Sequence, residues 1–181
     1  MSKLSDLARC LPGARLLGSG DPELGGIAYD SRQVKPGDLF VCVRGFQTDG
    51  HRFLPDALAR GAIAALVEEP PADLPVPALL VASAREAMPR LAAAFYGYPA
   101  RRLRLIGVTG TNGKTTTTYL IESLFRAAGQ RTGVIGTLGC RIGSETLAAE
   151  HTTPEAPDLQ ALLARMVDAG VAVASMEVSS H

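Results

Sequence analysis

Apolar residues recur in the second half of the chain in alternating strand-like and helix-like patterns. Leu103–Val108, Thr132–Ile135 and Val171–Val178 are apolar runs with the length of buried strands. Between these runs, apolar residues follow helical spacing from Leu120 to Ala128 and from Leu159 to Val167, and each series stops at a glycine. Strands that alternate with helices predict a parallel sheet whose crossover connections are right-handed.

The first half of the chain shows shorter elements of both kinds. Gly26–Ser31 and Leu39–Val43 are predicted strands on either side of the turn Lys35–Asp38, where the Pro-Gly pair favours a type II turn. Pro89 falls inside a predicted helix and indicates a kink or a later start. The other predicted elements are a helix at His51–Arg60, strands at Ala62–Val67 and Ala78–Val81, and a helix capped by Ser83 and Glu86.

The two patterned regions meet at Tyr96–Arg104. Pro99 disfavours helix at Tyr98, and the arginines that follow are typical of a solvated segment. We therefore expect an α/β fold in two parts, with a small N-terminal α/β domain at residues 1–99 and a parallel α/β domain at residues 100–181.

A glycine-rich loop, V-T-G-T-N-G-K-T-T, occupies residues 108–116 at the end of a predicted strand. Glycines here let successive backbone N–H groups point at phosphate oxygens, with a helix N-terminus behind them. Lys114 adds a positive charge for the terminal phosphates, and Thr115 offers a hydroxyl to Mg²⁺. The first glycine of the usual pattern would fall at Val108, so the match is incomplete. We predict a P-loop-type ATP site formed by Gly110, Thr111, Asn112, Gly113, Lys114, Thr115 and Thr116.

Glu177 lies near the end of the apolar run Val171–Val178. A carboxylate in such a run is costly unless it is hydrogen-bonded, paired or bound to a metal. It is either a ligand of the Mg²⁺ held by Thr115 or an outward-facing or helix-capping residue, and the nearby loop favours the metal ligand. Because ligands collect beyond the carboxyl ends of parallel strands, we expect three segments to lie at one edge of the sheet: Gly110–Thr116, the stretch ending at His151–Thr153, and Glu177–His181.

Composition and charge exclude several classes of function. The 18 Lys and Arg residues balance 18 Asp and Glu residues, so no overall field attracts nucleic acid or an anionic membrane. The apolar runs fall far short of the ~20 residues of a membrane span, and Met1–Arg9 lacks the apolar core of a signal peptide. Cys10, Cys42 and Cys140 show no metal or redox spacing, which favours a reducing, cytoplasmic location.

Three further groups of residues leave alternatives open. Thr152-Thr153-Pro154-Glu155 has the composition of a helix start, so the residue types alone predict that it caps a helix. Asp30-Ser31-Arg32 follows a strand and is compatible with ligand binding or with the start of a turn. The three histidines lack metal-ligand spacing and are expected to be polar surface or supporting residues: His51, His151 and His181.

Several motifs together resemble the Mur ligases of peptidoglycan synthesis. In the second half these motifs are the loop T-G-T-N-G-K-T-T, H-T-T-P-E at 151–155 and M-E-V-S-S-H at 176–181. In the first half, Y-D-S-R at 29–32, K-P-G-D-L-F at 35–40 and G-F-Q-T-D-G at 45–50 are similar to the family's N-terminal domain. The E-V-S-S-H motif favours the branch of the family that adds the third stem-peptide amino acid.

The resemblance implies a cytoplasmic ligase that uses ATP and Mg²⁺ to join diaminopimelate or lysine to UDP-MurNAc-L-Ala-D-Glu through an acyl phosphate. Lys114 and Glu177 would be catalytic, and Thr115 and Glu177 would hold the metal. The same resemblance implies a set of substrate-binding residues, namely Tyr29, Ser31, Phe46, Gln47, Thr48, Thr152, Thr153 and Ser179.

Members of the family have three domains, and this chain stops inside the second one. The resemblance therefore implies a fragment with a truncated P-loop-type domain and no ligase activity, and a complete enzyme that is a monomer. Two alternatives stay open, a folylpolyglutamate synthase-like ligase and a non-catalytic nucleotide-binding module. The motifs between Tyr29 and Gly50 favour the cell-wall ligase, because folylpolyglutamate synthases lack that region.

Overall fold

The computed structural model describes residues 2–45, 48–148 and 151–179, and the chain divides into two compact units between Phe95 and Tyr96. The division lies a few residues before the one expected at 99/100. Pro99–Arg101 form a 3-10 turn that contacts the helix Ala156–Asp168, so this turn is part of the second unit. Within the described residues, no helix has the length and apolar character needed to cross a membrane.

The first unit is a five-stranded sheet with helices on its faces, plus a short two-stranded ladder. Its helices are α1 (Leu4–Arg9), α2 (Leu54–Ala59) and α3 (Ala84–Phe95). Its strands are β1 (Ser2–Lys3), β2 (Arg15–Leu17), β3 (Glu23–Leu24), β4 (Gly26–Ala28), β5 (Asp38–Val41), β6 (Ala64–Val67) and β7 (Ala78–Leu80). The sheet order is β2-β7-β6-β5-β4, in which only the β2–β7 pair is antiparallel, and β1 pairs with β3.

Side chains of the central strands alternate between two apolar cores. Leu39, Val41 and Leu66 face the core that contains residues of α1 and α3, whereas Phe40 and Ala65 face the core against α2. Both faces of β5 and β6 are buried, as expected for parallel strands covered by helices on both sides.

The structure of the first unit confirms the predicted turn but not the predicted start of one helix. The Asp38 N–H donates to the Lys35 carbonyl over 3.1 Å, and Gly37 has a φ of 93°, as a type II turn requires. The predicted helix at His51–Arg60 begins later than expected, because Gly50–Phe53 form a 3-10 turn before α2. Pro89 lies inside α3 and does not delay its start.

The second unit is a mixed five-stranded sheet with two helices. Its elements are β8 (Arg104–Val108), α4 (Lys114–Ala127), β9 (Thr132–Gly136), β10 (Gly139–Ile142), β11 (Glu145–Leu147), α5 (Ala156–Asp168) and β12 (Val173–Glu177). The order is β11-β10-β9-β12-β8, and the three predicted strands β9, β12 and β8 are parallel. The antiparallel hairpin of β10 and β11, joined by Gly143-Ser144, was not predicted.

Helix α4 does not bury the apolar residues that predicted it. Its buried residues are Thr118 and Glu122, whereas Leu120 is 59% and Leu124 71% exposed. Polar bonds explain this orientation: the Ser175 hydroxyl donates to the Thr118 carbonyl, and Glu122 accepts a hydrogen bond from Thr132. The helix therefore packs on β9 and β12 through polar contacts.

The strand order determines where functional side chains meet. β12 lies between β8 and β9, with Glu177 opposite Val108 and Met176 opposite Ile135. The carboxyl ends of these three parallel strands therefore form one edge of the sheet, and the loop before α4 leaves from that edge.

Candidate functional site

The glycine-rich loop turns directly into helix α4. Gly113 is the residue before the helix and has a φ of 80°, and Gly110 has a φ of 144°. Both values lie in the left-handed region that glycine adopts without steric cost. The first N–H groups of a helix have no acceptor within it, so those of α4 are available to an anion at the loop.

Val108 occupies the position of the missing first glycine because it still belongs to β8. Its carbonyl accepts a hydrogen bond of 2.8 Å from the Val178 N–H, and it is paired with Glu177 in the sheet. An extended residue needs no glycine, so the loop proper begins after Val108.

Lys114 folds back over the loop. Its ammonium group donates to the Gly110 carbonyl oxygen over 2.8 Å. An ammonium group has three N–H donors, so two remain for phosphate oxygens when one is shared with Gly110.

Glu177 is buried at the end of β12 and is held by groups from two other segments. The Thr115 hydroxyl donates to its Oε2 over 2.9 Å, and the Thr137 backbone N–H donates to its Oε1 over 2.9 Å. The side chain is 1% exposed, which excludes the outward-facing alternative. A carboxylate accepting two such bonds is stable in a buried position, and its oxygens suit a hard cation beside Thr115.

Gly136 makes room for this carboxylate. A Cβ built at Gly136 would collide with Oε1 of Glu177 and would lie 2.9 Å from its Cδ. The sequence did not single out Gly136 or Thr137. The available signal was their position at the carboxyl end of β9, the strand next to β12.

Further hydroxyl-bearing side chains lie next to Glu177 and Thr137. The Thr153 hydroxyl donates to the Glu177 carbonyl over 3.0 Å and accepts from the Ser179 N–H over 3.0 Å. The Thr152 hydroxyl lies 3.1 Å from the Thr137 hydroxyl. The structure thus brings Thr152, Thr153 and Ser179 to the loop edge, as predicted.

Thr152 and Thr153 do not cap α5. The helix begins at Ala156 and its N-cap position is Glu155, so both threonines lie too early to cap its first turn. The expectation of a cap was wrong because the Thr153 hydroxyl bonds to the end of β12 instead.

The predicted substrate residues of the first half lie in the first unit. The Arg32 guanidinium forms an ion pair of 2.6 Å with the Asp30 carboxylate, and the Arg32 backbone N–H donates a hydrogen bond to the same group. These contacts hold the pKa of Asp30 below its ordinary value. Asp30-Ser31-Arg32 therefore starts a 3-10 turn, in which Ser31 is buried.

The other predicted substrate residues of the first unit differ in their exposure. Tyr29 packs on the α1–α3 core, and Thr48 is exposed. Phe46, Gln47 and His181 lie outside the described residues.

Within the described part of the chain, no group of three His, Cys, Asp or Glu side chains could hold a metal ion. A cation near Glu177 would therefore need ligands from hydroxyls, from phosphate oxygens and from water. This is how Mg²⁺ binds in nucleotide sites, where it uses one or two carboxylates and keeps several waters.

A glycine loop between a strand and a helix, with a buried carboxylate on the adjacent parallel strand, is the arrangement of P-loop nucleotide-binding proteins. Two family descriptions match the chain: the Mur ligase middle domain matches residues 108–181, and the catalytic domain of the Mur ligase family matches residues 23–96. The chain belongs to the Mur ligase family.

Individual proteins that are similar to the chain have the names of cell-wall ligases. Over 179 residues the chain is 51% identical to a UDP-N-acetylmuramoyl-L-alanyl-D-glutamate--2,6-diaminopimelate ligase from Geobacillus thermodenitrificans, covering 99% of this chain and 36% of the relative. Over 165 residues it is 53% identical to a UDP-N-acetylmuramyl-tripeptide synthetase from Roseiflexus, covering 89% of this chain and 32% of the relative. A solved structure of a diaminopimelate ligase of the same name superposes with a TM-score of 0.71 and 32% identity, covering 87% of this chain and 32% of that one. The chain spans about a third of the length of the curated relatives it matches.

Proposed function

We propose that residues 1–181 supply the UDP-sugar-binding and ATP phosphate-binding parts of an amide ligase of peptidoglycan precursor synthesis. The reaction adds the third stem-peptide amino acid to UDP-MurNAc-L-Ala-D-Glu. The observation that carries the proposal is the buried Glu177 carboxylate, which accepts from Thr115 in the first turn of α4. The names of the relatives favour diaminopimelate over lysine as the amino acid.

Three groups of this chain would bind ATP and its magnesium. The N–H groups at the start of α4 and the Lys114 ammonium would bind the terminal phosphates and neutralise their charge. Thr115 and Glu177 would hold Mg²⁺ through oxygen atoms. Bound Mg·ATP supplies the phosphoryl group that converts the substrate carboxylate into an acyl phosphate, a better electrophile for the incoming amine.

The residues proposed to bind the substrate are given for each unit separately. In the second unit, Thr152, Thr153 and Ser179 lie around Glu177 and would hold the sugar-peptide near the reacting carboxylate. In the first unit, the proposed contacts to the UDP end are Tyr29, Ser31, Phe46, Gln47 and Thr48. These ligands are small molecules of the cytoplasm, and the proposal requires neither nucleic acid nor a membrane.

Direct titration with UDP-MurNAc-L-Ala-D-Glu tests the substrate assignment. We expect saturable binding to the chain and about tenfold weaker binding by Thr153→Val, because that change removes a hydroxyl and keeps the shape. Thr146→Val is the matched control, since Thr146 is exposed on β11 and away from Glu177.

Two results of this titration would count against the proposal. Absence of saturable binding would contradict the substrate assignment, and equal weakening by both threonine variants would show that the effect is not local to the site. In a coupled assay, ADP release that depends on added diaminopimelate would show that residues 1–181 suffice for the whole reaction.

A further inference from the structure

Thr137 lies between the buried carboxylate and one of the residues proposed to bind the substrate. It follows β9 directly and is exposed. Its backbone N–H donates to Oε1 of Glu177 over 2.9 Å, and its hydroxyl lies 3.4 Å from Oε2 of the same carboxylate. The same hydroxyl lies 3.1 Å from the hydroxyl of Thr152. A chain of polar contacts therefore runs from Thr115 through Glu177 and Thr137 to Thr152.

The directions of the hydrogen bonds in this chain follow from the number of hydrogens. An ionised carboxylate accepts hydrogen bonds and donates none, and a threonine hydroxyl has one hydrogen and two lone pairs. The Thr137 hydroxyl therefore points its hydrogen at Oε2 of Glu177 and accepts the hydrogen of Thr152. In this arrangement the Thr152 hydrogen is used within the protein and is not available to a ligand.

The neighbouring Thr153 is held in a different way. Its hydroxyl donates to the backbone carbonyl of Glu177 over 3.0 Å and accepts from the Ser179 N–H over 3.0 Å. Both partners are backbone groups, which cannot turn away from the hydroxyl. The partner of Thr152 is instead a side-chain hydroxyl, whose hydrogen rotates freely. Of these two threonines, Thr152 is therefore the one whose hydrogen can be redirected.

A positive charge beside Glu177 would reverse the direction of these bonds. Oε2 is the oxygen that accepts from Thr115, so it is the oxygen proposed to hold Mg²⁺. The hydrogen of Thr137 is repelled by a cation at that oxygen. Its contact of 3.4 Å is long for a hydrogen bond between two oxygens, so little is lost when it breaks. The Thr137 hydrogen would then turn to Thr152, and the Thr152 hydrogen would be released.

We propose that Thr137 is a positioning residue whose hydroxyl turns from Glu177 to Thr152 when magnesium and nucleotide bind, and thereby frees the Thr152 hydroxyl to donate to the sugar-peptide substrate. The inference rests on the proposed function, in which Glu177 holds the metal and Thr152 contacts the substrate. Because coupling between two binding sites is reciprocal, the substrate should raise the affinity for the magnesium nucleotide by the same factor.

Two variants of Thr137 separate its hydroxyl from the rest of the residue. Thr137→Val keeps the branched shape and removes the hydroxyl, whereas Thr137→Ser keeps the hydroxyl. Both keep the backbone N–H that donates to Oε1 of Glu177, so the carboxylate stays bonded to the end of β9. Thr146→Val is the matched control, because Thr146 is exposed on β11.

Calorimetry measures the affinity for UDP-MurNAc-L-Ala-D-Glu with and without saturating Mg²⁺ and a non-hydrolysable ATP analogue. We expect the nucleotide to tighten substrate binding about tenfold in the wild type, Thr137→Ser and Thr146→Val, a factor that is usual for coupled sites. In Thr137→Val the two affinities should agree within about twofold. A tenfold factor that persists in Thr137→Val, or one that is lost in Thr137→Ser, would overturn the inference while the proposed function stands.

Methyl NMR of labelled threonines tests the link between Thr137 and Thr152 without the substrate. The Thr152 methyl signal should shift when Mg²⁺ and the ATP analogue are added to the wild type and to Thr137→Ser, and this shift should be lost in Thr137→Val. An equal shift in Thr137→Val would overturn the inference.

The two measurements together distinguish failure of the inference from failure of the proposed function. If the Thr152 shift depends on the Thr137 hydroxyl and no variant binds UDP-MurNAc-L-Ala-D-Glu, the proposed substrate is wrong while the link between the two threonines stands. Failure of the wild type to bind the magnesium nucleotide would overturn both.

Discussion

Residues from two separate segments of the chain hold the Glu177 carboxylate in place. Its two carboxylate oxygens bond to the first turn of α4 through Thr115 and to the end of β9 through Thr137. Hydrogen bonds to a charged group contribute about 1.5–3 kcal/mol each, so these contacts outweigh the flexibility that the side chain loses. The carboxylate is therefore fixed before any cation arrives.

Gly136→Ala should displace this carboxylate, because the new Cβ would collide with Oε1 of Glu177. We predict about tenfold weaker binding of Mg·ATP and a lower melting temperature. Gly107→Ala is the control, since its Cβ would meet only a Val178 methyl carbon at 3.2 Å. Calorimetry and thermal unfolding measure both effects. Unchanged magnesium and nucleotide affinity in Gly136→Ala would show that the position of Glu177 is unimportant.

Thiol reactivity should distinguish the three cysteines. Burial raises the pKa of Cys42 to about 12 and that of Cys140 to about 11, so both remain thiols at neutral pH, whereas Cys10 is exposed. Because the thiolate is the reactive form, we predict that iodoacetamide modifies Cys10 alone in the folded protein at pH 7. Mass spectrometry of tryptic peptides reads the sites. Rapid labelling of Cys140 without unfolding would contradict this.

The sequence predicted part of the site for a physical reason. Lys114 and Thr115 follow from a local motif, and Glu177 from a charge in an apolar strand. Gly136 and Thr137 were missed because their contact with Glu177 depends on which strand lies beside β12. Pattern reasoning predicts strands but not their order, so it could not place these neighbours.

At the scale of elements, α4 is the clearest departure from expectation. Helical spacing of leucines predicted the helix correctly, yet the helix turns Glu122 and Thr118 toward the sheet. Glu122 is 3% exposed and lies 2.6 Å from the Arg141 guanidinium on β10. This ion pair ties the unpredicted hairpin to the helix that begins at the phosphate-binding loop.

Removing one partner of this ion pair should destabilise the second unit. Arg141→Met leaves Glu122 buried without its closest cation, and we predict a loss of about 3 kcal/mol in the free energy of unfolding. The double variant Glu122→Leu, Arg141→Met should recover most of this loss, because no buried charge is left unpaired. Urea unfolding followed by amide signals of β9 and β10 measures both. An additive loss in the double variant would contradict the account.

At the scale of the whole molecule, the α/β class and the parallel strands were predictable from alternating patterns. The unpredicted parts include the β10–β11 hairpin, the exposed face of α4 and the earlier division between the units. Each depends on contacts distant in sequence: strand pairing, an ion pair across elements, and the packing of Pro99–Arg101 on α5. Patterns within one segment carry no information on such contacts.

The chain exposes apolar side chains on one helix of the second unit. Leu120 and Leu124 lie one turn apart on α4, and both are more than half exposed. We predict that the dye ANS binds the folded chain and that Leu120→Gln with Leu124→Gln reduces its fluorescence severalfold. Leu16→Gln is the control, because Leu16 belongs to the first unit and is 43% exposed. Equal reduction in the control would contradict an assignment to α4.

The binding of Mg·ATP to the wild type and to Lys114→Ala, measured by calorimetry at one salt concentration, tests the central claim most directly. The phosphate-binding loop requires saturable binding by the wild type and at least about tenfold weaker binding by Lys114→Ala, because a charge-assisted contact to phosphate is lost. Equal affinity in the two proteins, with both still folded, would contradict the assignment of Gly110–Thr116 as the nucleotide site.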